Sequence, residues 1–150
     1  MSVIYLAVGS VTGTALIVAK AVQQQLEQAG HRVVLDDKPS VSALNASLCD
    51  AVLICTSTTG RGDLPAAIAP FYVELEEQFP LQNGKPFGVI SLGDSSYDAT
   101  FCGAGALFEE RFFELQGSAP VPRVTIDATE TVTPDEDALF WLNEWMEKAL

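Results

Sequence analysis

Three short stretches of the 150-residue chain combine glycines with hydroxyl side chains at spacings that suit ligand chemistry: GSVTGTA (Gly9–Ala15), STTGRGDLP (Ser57–Pro65) and LGDSSYDATFCG (Leu92–Gly103). In the first, Ser10, Thr12 and Thr14 alternate, and Gly9 and Gly13 permit a tight bend. An apolar run ends at this stretch and a helical repeat begins after it. Its backbone N–H groups therefore gather at the positive end of a helix, where a nest of amides and hydroxyls can hold a phosphate without a lysine or arginine. A Walker loop would need its lysine, and the dinucleotide fingerprint would need GxGxxG; both are missing. Taken alone, the stretch could equally be a plain strand-to-helix turn.

The second stretch carries Gly60 and Gly62, which allow backbone conformations closed to other residues. The third places one aromatic side chain, Tyr97, among polar turn formers. Together the three imply a phosphate at one end and a flat polar ring laid between two loops, with an aromatic face available for stacking. No paired acid and base marks a catalytic centre. The lone His31 and the separated Cys49, Cys55 and Cys102 form no metal-ligand pattern. Glu109, Glu110 and Glu114 read as a solvated helix face, and Trp141 and Trp145 as packing residues.

These loops need strands and helices to bring them together. Val3–Val8 is a continuous apolar run, the mark of a strand buried on both faces. Ala15, Val18, Ala19, Val22, Leu26 and Ala29 then recur at helical spacing, stopped by Gly30. Further strands are predicted at Arg32–Leu35, Ala51–Cys55, Phe87–Leu92 and Val121–Ile126. Helices are predicted at Phe71–Phe79 and Ala106–Leu115, and a short one within Asp37–Leu48. In the last helix Thr133 is the expected cap, Pro134 the first residue and Glu136 the third capping-box position, with Leu139, Leu142, Trp145 and Met146 inside. Strand and helix alternate five times. This predicts one domain over residues 1–150: a three-layer α/β/α sandwich around a five-stranded parallel sheet. In such a sheet the loops leaving the carboxyl ends of the strands share one edge, where ligands bind.

The chain has 20 acids and 8 bases, a net charge of −12. Residues 76–150 hold 14 of the acids and 4 of the bases, so the charge is concentrated in the second half. Nucleic acid and anionic membranes are excluded as partners, whereas a basic protein would be attracted. No segment reads as a signal peptide or membrane span, and reduced cysteines suit a cytoplasmic setting. Nothing in the pattern demands more than a monomer.

Across essentially its whole length the chain resembles the flavodoxin family, and more narrowly its short-chain bacterial members. GSVTGTA resembles the family's FMN phosphate loop, STTGRGD its second flavin loop, and LGDSSY followed by FC its third. The resemblance implies strand order 2-1-3-4-5 and FMN held without a covalent bond. It implies that Ser10, Thr12, Thr14 and the amides through Val11, Gly13 and Ala15 surround the phosphate. Tyr97 would stack on the outer face of the flavin, and Gly60 would turn its carbonyl toward flavin N5 when that nitrogen is protonated. Thr58, Thr59, Gly62 and the backbone of Leu92, Gly93, Asp94 and Ser96 would border the ring. Phe101 and Cys102 would buttress the loop. The chain departs from the family at Ala15, where a threonine is usual, and at Thr59, where an aromatic often covers the inner flavin face. It also has Arg61 in place of a glutamine or acid, and one more residue between Tyr97 and Phe101.

The expected function is that of a low-potential one-electron carrier between a basic NADPH-dependent flavin reductase and a redox acceptor protein. Asp63, Asp94 and Asp98 would help steer these partners. Two other classes compete: an accessory domain with weak or lost FMN binding, and a small FMN-dependent reductase. A receiver domain shares the strand order, but it needs an aspartate where this chain has Thr56 and Ser57.

Overall fold

The computed structural model describes residues 1–11, 13–58, 63–93, 103–127 and 130–150. Five strands, β1 (Val3–Gly9), β2 (Arg32–Asp36), β3 (Ala51–Thr56), β4 (Phe87–Gly93) and β5 (Val124–Asp127), alternate with five helices. The helices are α1 (Thr14–Gln28), α2 (Val41–Ser47), α3 (Ala69–Gln78), α4 (Gly103–Glu114) and α5 (Pro134–Ala149). All pairings are parallel, and the sheet runs β2-β1-β3-β4-β5, the expected order. β1 and β3 are apolar because each is covered on both faces. Alternate residues feed two separate cores. Ile4, Leu6 and Val8 pack with α1 and α5, while Tyr5 and Ala7 pack on the opposite side with Phe71, Phe108 and Phe112.

Helix α1 buries Ala15, Val18, Ala19, Val22 and Leu26, and its chain reverses at Gly30 with φ +92°. Ala29, expected inside, lies exposed at the C-cap, one residue beyond the last turn that faces the sheet. Helix α2 begins on Ser40, whose hydroxyl accepts the Ala43 N–H at 3.0 Å. Helix α3 starts two residues before the expected Phe71 and ends at Gln78, capped by Phe79 in a left-handed conformation.

Helix α4 starts at Gly103 rather than Ala106, and within it Gly105 lies directly against Ser91 of β4, where a β-carbon would clash with that side chain. β5 starts at Val124 rather than Val121: Pro122 lacks an N–H for a ladder, and its carbonyl instead accepts the Trp141 indole N–H at 3.0 Å. Thr133 is the N-cap of α5, but its side chain makes no capping bond. The Thr131 hydroxyl accepts the Thr133 N–H instead, so the expected capping box does not form. Glu109 and Glu114 are not simply solvated, since Glu109 pairs with Arg123 and Glu114 with Arg111.

Trp145 is wholly buried and donates its indole N–H to the Phe87 carbonyl at 3.1 Å, fixing α5 to β4. This close approach leaves no room on Gly88, where a β-carbon would stand 2.6 Å from Trp141 and 2.7 Å from Trp145. Gly88→Ala is expected to cost about 1–3 kcal/mol by overpacking. Urea unfolding checks this, and an unchanged midpoint would show that the indoles move aside freely.

Candidate functional site

The carboxyl ends of the central strands are level with one another. Gly9 of β1 pairs with Thr56 of β3, and Thr56 with Ser91 of β4, in one row across the sheet. The chain leaves this row, or two residues beyond it at Gly93, in each of the three stretches singled out above. The ladder continues past β3 by one bond, with the Ser57 N–H donating to the Gly9 carbonyl at 2.8 Å. That bond ties the stem of the second stretch to the first. Gly9 is needed there because a β-carbon would lie 2.9 Å from Thr56 Oγ1 and collide with Ile68 as well.

In the first stretch the Ser10 hydroxyl oxygen accepts the Gly13 N–H at 2.8 Å. A hydroxyl that accepts in this way still carries an O–H donor. Gly13 is the N-cap of α1 at φ +94°, a left-handed conformation that disfavours any other residue. The first helical bond runs from Ile17 N–H to Gly13 C=O, so the amides of Ala15 and Leu16 precede the bonded part of the helix. Val11 is exposed, and Ser10, Gly13 and Thr14 are half-buried. Residues 9–15 contain no carboxylate. This donor set of hydroxyls and helix-terminal amides fits a phosphate group. Ala15 is fully buried, with its side chain in the core, so its contribution to the loop is backbone only.

The second and third stretches are joined at their stems. Thr58 Oγ1 accepts the Ala104 N–H at 3.2 Å, satisfying an amide in the first turn of α4. Leu92 is buried and Gly93 half-buried at the end of β4, while Asp63 is exposed. Sequence reasoning found neither Ile68 and Ala104 nor the bond from Ser57 to Gly9, because these depend on which strands become neighbours. Thr12, Thr59, Gly60, Arg61, Gly62, Asp94, Ser96, Tyr97, Asp98, Phe101 and Cys102 lie outside the described residues. Among the described residues, no group of three or more His, Cys, Asp or Glu is placed to hold a metal ion.

Beneath the first stretch, the buried Cys55 thiol donates to the Ala15 carbonyl at 3.4 Å, linking β3 to the first turn of α1. Burial pushes its pKa up from 9.0 to about 12. Tyr5, whose hydroxyl donates to Asp36 at 2.7 Å, shifts the same way, through burial first and then that hydrogen bond.

The family model described as "Flavodoxin" matches residues 6–141 of this chain. A solved structure of a mutant flavodoxin from Pseudomonas aeruginosa superposes with a TM-score of 0.93 at 41% identity, covering 98% of each chain. A further Pseudomonas aeruginosa protein is 45% identical over 137 residues, or 91% of each chain. Flavodoxin YqcA of Escherichia coli K12 is 33% identical over 145 residues, or 97% of each.

The Cys55 shift makes a prediction about alkaline stability. The folded protein retains a proton that the unfolded chain loses near pH 9. The associated stability is therefore complete below that pH and disappears as pH rises through about 12. Urea midpoints should fall above pH 9, and less steeply in Cys55→Ala. Parallel falls in the two proteins would contradict a role for the thiol.

Proposed function

The chain belongs to the flavodoxin family, and from that premise we propose that it binds FMN and carries single electrons between a basic NADPH-dependent flavin reductase and a redox acceptor protein. The observation that carries this reading is the row Gly9–Thr56–Ser91, which holds the stems of all three loops at one edge of the sheet. FMN, when bound, supplies the electron-accepting ring. The chain's own residues bind and orient it. Ser10, Thr14 and the amides of Ala15 and Leu16 take the phosphate at the positive end of α1.

The remaining assignments follow the family pattern. By that pattern Tyr97 would stack on the ring, and Gly60 would offer its carbonyl to flavin N5, where glycine lowers the cost of turning the peptide. Thr58, Leu92 and Gly93 stand at the loop stems. Their backbone, with that of Thr59, Gly62, Asp94 and Ser96, would border the ring, Thr12 would join the phosphate set, and Phe101 and Cys102 would support the third loop.

Electrostatics shapes the chemistry. A net charge of −12 opposes adding negative charge to the ring and lowers the potential of the second electron. Arg61, which the family pattern puts in the second flavin loop, would act in the opposite sense. The same charge draws in a basic reductase, with Asp63, Asp94 and Asp98 near the flavin edge. The setting is cytoplasmic, and the working unit is a monomer that forms short-lived contacts. Among the described residues no helix is long and apolar enough to cross a membrane.

A carrier and a stand-alone reductase differ in one experiment. With FMN bound, the chain should accept electrons from NADPH only when a separate flavin reductase is added. The association rate should fall steeply as salt rises. NADPH oxidation by the chain alone would overturn the carrier reading, and a rate indifferent to salt would overturn the steering.

A further inference from the structure

We propose that the outer edge of β2 is a self-association site, at which the strand pairs antiparallel with β2 of a second copy of this chain. β2 is one margin of the sheet and pairs with β1 alone. The Arg32 N–H donates to the Ser2 carbonyl at 2.9 Å, so Arg32, Val34 and Asp36 turn their backbone groups toward β1. Val33 and Leu35, between them, turn theirs outward, and no other group among the described residues bonds to them. β5, at the opposite margin, is closed, because its Asp127 carbonyl already accepts the Glu130 and Thr131 N–H groups. Pairing through β2 therefore ends at two chains and builds no filament.

Geometry and charge both select a second copy. Two β2 strands crossing at Val34 place Val33 of each opposite Leu35 of the other, so the N–H groups of both residues find carbonyls. A slip that set Leu35 against His31 would fail, since the His31 N–H already donates to the Leu26 carbonyl at 3.1 Å. Only the crossing at Val34 also sets Arg32 opposite Asp36 of the second copy, twice by symmetry, in close pairs with Cα atoms about 4.5 Å apart. Arg32 is exposed and makes no ion pair among the described residues. The Asp36 carboxylate is held in place by the Tyr5 hydroxyl at 2.7 Å and the Lys38 N–H at 3.0 Å. Each copy thus brings an unpaired guanidinium and a pre-positioned carboxylate. Residues 32–38 hold two acids and two bases within a chain of net charge −12, so this edge has no net charge of its own to repel its copy. Five residues a side fall well short of the roughly 20–30 of a standard interface, so the pair forms and parts readily, and the single chain remains the unit that meets other proteins.

This inference does not rest on flavin binding, because the ligand loops leave β1, β3 and β4. It is tested on the full chain by amide hydrogen exchange read by NMR, from micromolar to millimolar protein. The amides of Val33 and Leu35 are expected to exchange freely when dilute and to become protected together as sedimentation velocity detects a dimer. Arg32→Glu should weaken the dimer about tenfold, as two exposed ion pairs turn into two repulsions. Val34→Cys reports the register: under mild oxidation it should yield a 34–34 disulfide, because Val34 meets its own copy on the two-fold axis. Val33→Cys, at a position that opposes Leu35 and points to the other face, should yield none. A single species at millimolar protein, protection that spares Val33 and Leu35, or equal cross-linking through positions 33 and 34 would overturn the pairing. The exchange measurement uses the unaltered chain and decides the matter even if a variant fails to fold.

Discussion

The structure depends on parallel pairing at the centre of the sheet. Because β1, β3 and β4 run in one direction and are level at Gly9, Thr56 and Ser91, their outgoing loops must share an edge. Antiparallel neighbours would have sent one of these loops to the opposite end of the molecule. The register itself follows from burial on both faces: a slip of one residue would move Tyr5 and Ala7 into the core now filled by Ile4, Leu6 and Val8.

The packing beneath the edge keeps the stems in place. Ile68 lies against Gly9, Gly105 against Ser91, and the Cys55 thiol against the Ala15 carbonyl. The Ile68 and Cys55 contacts tie a strand end to a segment that follows a different strand, whereas Gly105 packs the start of α4 back on its own strand, β4. The Ser57–Gly9 and Thr58–Ala104 bonds add direct links between neighbouring stems. Convergent amides at a helix terminus keep their orientation without reorganising when an anion arrives.

Much of this was legible in the residues. The apolar runs VIYLAV and AVLIC marked the central strands, and the 3.6-residue repeat from Ala15 to Leu26 marked the first helix. Spacing alone left the strand order open; the family resemblance selected it. Errors concentrated where tertiary contact overrides a local signal. Glycines 103 and 105 look like helix breakers, yet both belong to α4, where Gly105 sits directly against Ser91. Val121 has the look of a strand residue, but Pro122 delays β5 to Val124. The S/T-x-x-E pattern at Thr133 promised a capping box, and the nearby Thr131 hydroxyl took the amide instead. In the site, the hydroxyl residues of the first stretch were readable from their alternation. The partners of Ser57 and Thr58 were not, because no sequence pattern states which loop lies beside which.

The central claim is that hydroxyls and helix-terminal amides, without a formal cation, hold a phosphate. Comparing FMN with riboflavin by calorimetric titration of the ligand-free protein isolates that contribution, since the two differ only by the phosphate. FMN is expected to bind at least about a hundredfold more tightly, as several hydrogen bonds to an anion require. Equal affinities, or no binding of FMN at all, would contradict it.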